Sequence, residues 1–501
     1  MKKTTKTDSY SHILKYTGLF GGIQGLGILV SIIRNKLVAV ILGPQGVGLI
    51  SLFNTTLKFM SDSTNFGISM SAVKSLSEDF DKGDEQKTLH TIKIIRSLSL
   101  LTALIGILLC LLLSPFLSRF TFSWQGHVLH FLCLSPIVGI MAITGGELAI
   151  LKGVRQLRQL ASISVYNMLA ALVISTPIYF FFGNKGIIPS LILMALAQML
   201  LTIGCSYRLY PPRFSNKRRV LGEGINMIKL GLAFVLAGIL GSGANLLIQS
   251  YLSNKAMIDT VGLYSTGYTM TMTYVGLVFS AMETDYFPRL SSFGSLGVAF
   301  NQTVNRQIEV MLLLVSPMLV FFMIALPVLL PLFYSGNFMS AIGMTHIVII
   351  AMYFRAWALP VQYIPLARGD SASYLLLEAI YDVLFVVLVI FFFSHFGLTG
   401  AGVGIVMATI LDLAATLLYA RWKYSYTVSM NVSLYMALQL PIGILAYCLT
   451  YVQDLTLYWG IGTLLIIVST MATIIILRSK THLWEALLRK TREKLHRFYR
   501  K

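Results

Sequence analysis

Apolar runs of about 20 residues, the length that carries a helix across a bilayer, recur from about residue 12 to about residue 478 and are separated by short polar breaks. The pattern predicts fourteen spans centred near residues 28, 58, 102, 139, 170, 197, 238, 272, 318, 354, 383, 409, 442 and 467, and hence an all-α polytopic membrane protein. The longest polar stretches are VKSLSEDFDKGDEQKTLH and RLYPPRFSNKRRVLGEG. Neither is long enough for a soluble domain, which excludes enzymes that need a large aqueous catalytic domain. The second stretch, with its Pro-Pro pair and basic cluster, reads as a linker between halves.

Composition agrees: 56% of the 501 residues are hydrophobic and 12% are charged, against about 25% charged in a soluble domain. The net charge of +19 is one of orientation. With the N-terminus cytoplasmic, only Arg119, Lys185 and Lys255 fall outside, and Arg34, Lys36, Lys58 and Arg355 fall within spans. All other Lys and Arg lie on the cytoplasmic side, which sets both termini inside and gives no reason to expect nucleic acid as a partner. The first apolar segment exceeds a signal-peptide core and reads as an uncleaved span. Cys110, Cys133, Cys205 and Cys448 sit in apolar runs without metal-ligand spacing, so neither disulfide nor metal nor other cofactor is expected.

Three matches across the linker share nearly one offset. GVGLISLFNT from Gly46 pairs with TVGLYSTGYT from Thr260, an offset of 214; Lys74 pairs with Arg289, an offset of 215; and LKGVRQ around Gly153 pairs with LARGDS around Gly369, an offset of 216. Each pair shares a membrane side, as parallel duplication requires. The expected domains are a six-helix bundle over 1–208, a linker over 209–225, a second bundle over 226–424, two further spans over 425–478 and a basic amphipathic tail over 479–501.

The LGPQGVGLISLFNT segment, the LKGVRQ and LARGDSASY turns and the six-plus-six-plus-two layout together resemble the polysaccharide flippases of the multidrug/oligosaccharidyl-lipid/polysaccharide exporter (MOP) superfamily, nearest the O-antigen translocase (Wzx) type. The resemblance implies a MATE-like pair of bundles in a bacterial inner membrane, moving an undecaprenyl-pyrophosphate-linked oligosaccharide from the inner to the outer leaflet by alternating access. It implies membrane lipids, a coupling H+ or Na+ and polysaccharide polymerase machinery as partners.

An ionised group inside a bilayer costs about 3 kcal/mol on insertion scales, which makes each one a functional candidate unless paired. Arg34 and Lys36 lie about 10 Å inside the outer end of the first span, with no acid nearby in that span. They are about 200° apart on the helix and cannot both face one cavity. A pyrophosphate needs fixed cations, and the planar fork of Arg matches its oxygens; Arg34, Lys36, Lys58 and Arg355 are therefore the expected anion-binding residues. Asp62, four residues after Lys58, either neutralises it or lines the cavity beside Asn65. Asn245, Gln249, Tyr268 and Tyr274 are candidates for sugar contacts. Arg355 is expected to pair with Asp382 or Glu378, and Asp412, deep and with no partner evident in the sequence, joins Asp382 and Glu378 as an ion-coupling candidate. Glu147, Glu283 and Asp285 are expected to be solvated, and His127 and His130 to be interface residues.

Two other transport readings remain open: a flippase for the lipid-linked peptidoglycan precursor, and a cation-coupled multidrug exporter, which would need an acidic cavity that Arg34 argues against. A membrane polymerase or ligase would need longer outer loops.

Overall fold

A computed structural model describes residues 6–122, 126–214 and 217–480, and the side chains of 6–25, 69, 70, 217–231, 273, 274, 277, 280–285 and 480 lie outside that description. The expectations for Tyr274, Glu283, Asp285 and residues 481–501 of the tail therefore fall outside the described residues. Every regular element among the described residues is helical. In order they are α1 (Lys6–Thr64), α2 (Ile68–Asp81), α3 (Glu85–Thr121), α4 (Val128–Gly153), α5 (Leu157–Phe182), α6 (Ile187–Leu209) and α7 (Lys217–Lys255). There follow α8 (Ile258–Thr269), a π-helical turn at Met270–Val275, α9 (Gly276–Ser291), α10 (Val298–Phe333), α11 (Ile342–Ala367), α12 (Ser371–Tyr424), α13 (Met430–Leu449) and α14 (Leu455–Lys480).

Among the described residues ten helical stretches are long and apolar enough to cross a membrane, not the fourteen expected. Three of the ten run 39, 53 and 54 residues, well beyond the roughly 20 that one crossing needs. Each of those three bends at a glycine with positive φ: Gly43 (65°), Gly183 (55°) and Gly397 (60°). Only a residue without Cβ takes this conformation at little cost, and at the first bend Pro44 follows, ready to open a new helix.

The spans carry their own polar groups. Thr56, Ser114, Ser175, Thr202, Thr345 and Thr409 each donate to the carbonyl four residues back, so their hydroxyls need no water in the apolar layer. Along α3 the side chains of Leu100, Leu104, Leu108, Leu112 and Phe116 form an exposed stripe at four-residue spacing. A soluble protein would hide such a face; a bilayer covers it.

The chain forms two compact units. The first comprises Met1–Thr266, Leu330–Ser340 and Glu378–Val386. At one end its core is made where α2, α3 and α4 meet, through Ile68, Ala72, Leu76, Ile92, Ile95, Leu98 and Ile150. The second comprises Gly267–Leu329, Ala341–Leu377 and Val387–Lys501. Its α11 is buried along most of its length, from Met344 to Pro365.

Candidate functional site

Arg34 and Lys36 lie on the same segment of α1 and reach different neighbours, as their angular separation requires. The Arg34 Nε donates to Ser175 Oγ on α5 at 3.3 Å, and its Nη2 lies 3.6 Å from Met194 Sδ on α6. No carboxylate pairs with it among the described residues. Lys36 Nζ donates to the Pro331 carbonyl at 2.7 Å, at the C-terminal end of α10, where a cation also meets the negative end of the helix dipole. Lys58 and Asp62 form the i,i+4 ion pair at 2.9 Å, which leaves little net charge there.

On α7, Gly241, Asn245 and Gln249 follow one another at four-residue spacing and make a polar stripe in the first unit. Asn245 Nδ2 donates back to the Gly241 carbonyl at 2.8 Å. A Cβ at Gly241 would lie 3.8 and 3.9 Å from the carboxylate oxygens of Asp382, which is buried on α12. Gln249 Oε1 accepts from Ser51 Oγ at 3.1 Å, and Ser51 Oγ lies 2.7 Å from Ser265 Oγ on α8. Since the single Ser51 proton goes to Gln249, the Ser265 hydroxyl is the donor in the second bond. Asn65, Glu378 and Arg355 are half-buried, Asn65 just beyond α1, Glu378 on α12 and Arg355 on α11.

Asp412 has a partner the sequence did not reveal: its Oδ2 accepts from Gln362 Nε2 on α11 at 2.7 Å. The two are 50 residues apart and meet within the second unit, where α11 comes against the half of α12 that follows the Gly397 bend.

The expectation of a solvated Glu147 is corrected. Glu147 is 3% exposed, and its carboxylate takes a two-pronged bond from Arg96 at 2.8 and 3.2 Å. Arg96, counted above among the cytoplasmic charges, is equally buried. It also donates to the carbonyls of Tyr210 and Pro211 and to Ser206 Oγ, and its guanidinium covers the Tyr207 ring at 4.6 Å. The cluster fastens α3, α4 and the end of α6 together. Buried charge is tolerated here because the carboxylate and the backbone carbonyls satisfy it from several sides. The sequence signal that could have found the pair is that both residues lie near one end of consecutive antiparallel spans.

The LARGDS turn is also built on a charge. Asp370 caps α12, and its carboxylate accepts from Lys423 Nζ at 2.7 Å, from Tyr424 at 2.7 Å and from Ser373 at 2.8 Å. The bend at Gly397 lets the two ends of α12 meet at this point. Burial alone would raise the pKa of Asp370, but the bonds from Lys423, Tyr424 and Ser373 outweigh it and hold the carboxyl well below the usual carboxylate range. In the matching LKGVRQ turn, Arg155 binds Asp81 at 2.6 Å. Near the far end of α4, the Nδ1 atoms of His127 and His130 lie 2.7 Å apart, and burial, with His130 beside it, pushes the pKa of His127 down.

One contact joins positions matched by the offset of 214. The glycines Gly48 and Gly262 pack backbone to backbone: a Cβ on Gly262 would fall 2.0 Å from the Pro44 carbonyl oxygen, and one on Gly48 would fall 2.3 Å from the Ile258 carbonyl oxygen. One turn along, Ser51 meets Ser265, again 214 residues apart. The bend glycines Gly183 and Gly397 have the same spacing and nearly the same conformation, φ 55° and ψ −137° against φ 60° and ψ −144°.

Among known families, the one described as "Polysaccharide biosynthesis protein" matches residues 37–343. No curated protein matches the chain. Among solved structures, the fold is similar to that of the lipid II flippase MurJ in an inward closed conformation, with 13% identity, 92% of this chain and 99% of that chain covered and a TM-score of 0.73. It is also similar to an inward-facing multidrug resistance MATE family transporter of the MOP superfamily, with 16% identity, 80% and 94% covered and a TM-score of 0.67. A MOP superfamily transporter from Pyrococcus furiosus is similar at 14% identity, with 81% and 93% covered and a TM-score of 0.52. The MATE-like, all-helical fold expected from the sequence is the one observed.

Proposed function

The chain belongs to the family of polysaccharide biosynthesis proteins, and from that premise we propose that it is a flippase carrying an isoprenoid-pyrophosphate-linked oligosaccharide, the repeat unit of an O-antigen or related surface polysaccharide, from the cytoplasmic to the outer leaflet of the inner membrane. The observation that carries the substrate class is Arg34. Lys36 is tied to a helix end and Lys58 to Asp62, whereas Arg34, among the described residues, meets the neutral groups of Ser175, Met194 and Tyr179 and no carboxylate. Its remaining N–H donors suit a phosphate anion, and a cationic drug would be repelled. Lys36, Lys58 and Arg355 stand behind it as further cationic positions, and Asn65, Asn245 and Gln249 as polar positions for sugar.

On this reading the two repeats, 1–208 and 226–424, alternate access by a rocking motion. The contact of Gly48 with Gly262 and of Ser51 with Ser265 supports it, because equivalent positions touch each other only at the pseudo-twofold axis relating the repeats. We assign ion coupling to Asp412, held by Gln362, with Asp382 and Glu378 as alternates. Replacing Asp412 by Asn should reduce gradient-driven export in vesicles while sparing substrate binding; an unchanged response to an imposed pH or sodium gradient would remove it from the mechanism.

The likeness to a lipid II flippase over nearly the whole chain favours a second reading, transport of the lipid-linked peptidoglycan precursor. Deletion of the gene separates the two. Loss of surface polysaccharide with accumulation of its lipid-linked repeat on the inner leaflet is the expected result. Intact polysaccharide with lysis and accumulation of the peptidoglycan precursor would overturn it in favour of the second reading.

A further inference from the structure

Ser175 and Tyr179 are one turn apart on α5, and Ser190 and Met194 are one turn apart on α6, the helix that returns after the bend at Gly183. Counted outward from that bend, Tyr179 is level with Ser190 and Ser175 with Met194, so the four side chains make two rungs. Arg34, reaching over from α1, lies on the rung further from the bend: its Nε donates to Ser175 Oγ and its Nη2 lies against Met194 Sδ. The other rung consists of two hydroxyls, Tyr179 Oη beside Ser190 Oγ, and it stands within reach of the Arg34 guanidinium.

The donors of this cluster outnumber its acceptors. Ser175 gives its proton to the Ala171 carbonyl at 2.6 Å, so toward Arg34 it can only accept. Tyr179 and Ser190 are each 0% exposed, and neither hydroxyl makes a hydrogen bond of full geometry. A buried hydroxyl without a partner is destabilising, and native proteins keep few of them. Here two stand side by side, next to a guanidinium with N–H groups to spare and no carboxylate among the described residues. Such a cluster is matched by a species that only accepts hydrogen bonds and carries negative charge.

We infer, on the reading that Arg34 holds the substrate anion, that Tyr179 and Ser190 are specificity-determining residues of the same site, donating their hydroxyl protons to phosphate oxygens that the guanidinium brings to them. A carboxylate has two oxygens in one plane, and the Arg34 fork alone can use both. A phosphate or pyrophosphate has further oxygens outside that plane, and two neutral donors set one turn away on α5 and α6 suit them. The hydroxyls therefore select phosphate over carboxylate, whereas Arg34 selects anion over cation. Burial strengthens the selection, because water does not compete for the two protons.

The test uses the full chain purified in detergent, with calorimetry reading the binding of farnesyl pyrophosphate and of farnesoic acid, which share one isoprenoid chain and differ in the anion. The native protein should bind the pyrophosphate more tightly. Tyr179→Phe and Ser190→Ala should each weaken pyrophosphate binding by about three- to tenfold, the scale of one hydrogen bond, and leave farnesoic acid binding unchanged. Ser190→Thr, which keeps the hydroxyl, should bind as the native protein does. Neither deletion should lower the melting temperature, since it removes a hydroxyl that bonds to nothing in the unliganded protein. Unchanged pyrophosphate binding in both deletions would overturn the proposal and leave the hydroxyls to water, as would equal weakening of the two ligands, the mark of a merely structural role. Arg34→Ala separates this failure from that of the underlying reading: it should weaken both ligands, and if it weakens neither, Arg34 is not the anion site at all.

Discussion

Ser51 and Ser265 lie 214 residues apart in the chain and 2.7 Å apart at their hydroxyl oxygens, one turn beyond two glycines of the same offset whose backbones touch. If this contact closes one side of an alternating-access transporter, it must part in each cycle. A Ser51→Cys, Ser265→Cys double variant brings two sulfurs to a place where a disulfide of about 2.05 Å can form. Oxidation should yield an intramolecular cross-link and stop export, and reduction should restore it. Each single Cys variant, treated in the same way, should export normally. A cross-linked protein that exports at the native rate would show that the contact never opens.

The Arg96–Glu147 pair makes a prediction about stability that does not involve transport. Arg96→Ala leaves a carboxylate buried without its cation, and the loss should be about 3–5 kcal/mol, read as a lower melting temperature in detergent. Replacing both residues, Arg96→Met with Glu147→Leu, should cost much less, since the desolvated charges vanish together. A double variant as unstable as Arg96→Ala would point instead to the bonds between Arg96 and the Tyr210 and Pro211 carbonyls.

What was legible in the sequence, and what was not, follows from the membrane itself. Spans show because they are long and apolar, and the Gly43–Pro44 bend and the LARGDS turn show because glycine and proline punctuate them. Which face of a span meets which neighbour is hidden. Lipid-facing Leu104 and core-facing Leu98 are the same residue type, so the hydrophobic period that orients a helix in water carries little information here. For that reason Glu147 is expected in water although Arg96 lies on the preceding span, and Gln362 is not connected to Asp412, which lies past the Gly397 bend with a whole span between them. The offset of 214 was visible because close packing tolerates so few residue types at Gly48 and Gly262.

Acid should loosen the turn between α11 and α12. Asp370 has a folded-state pKa below its ordinary value, so its contribution is fully present above the unfolded carboxylate value of about 4 and is lost as pH falls from there through the folded value. The native protein should therefore lose melting temperature steeply between about pH 4 and the limit of its solubility. Asp370→Asn should melt lower at neutral pH and show a shallower acid slope. Parallel slopes for the two proteins would assign the acid sensitivity elsewhere.

Arg34 is where the proposed substrate and the structure meet most directly. Its Nε is fixed by Ser175, which aims the fork while leaving donors for an anion. Lysine keeps the charge but loses the two-pronged geometry, and alanine loses both. Export should fall in the order native, Arg34→Lys, Arg34→Ala, and binding of a pyrophosphate-bearing lipid should weaken by about 1.5–3 kcal/mol on going to Ala, the scale of a charged hydrogen bond. Ser175→Ala should give a smaller loss, because it frees the guanidinium without removing it. Membrane levels of each variant must equal the native level, since a merely structural Arg34 would lower export through poor insertion. A well-inserted Arg34→Ala protein that still completes surface polysaccharide would refute the role and shift the anion site to Arg355.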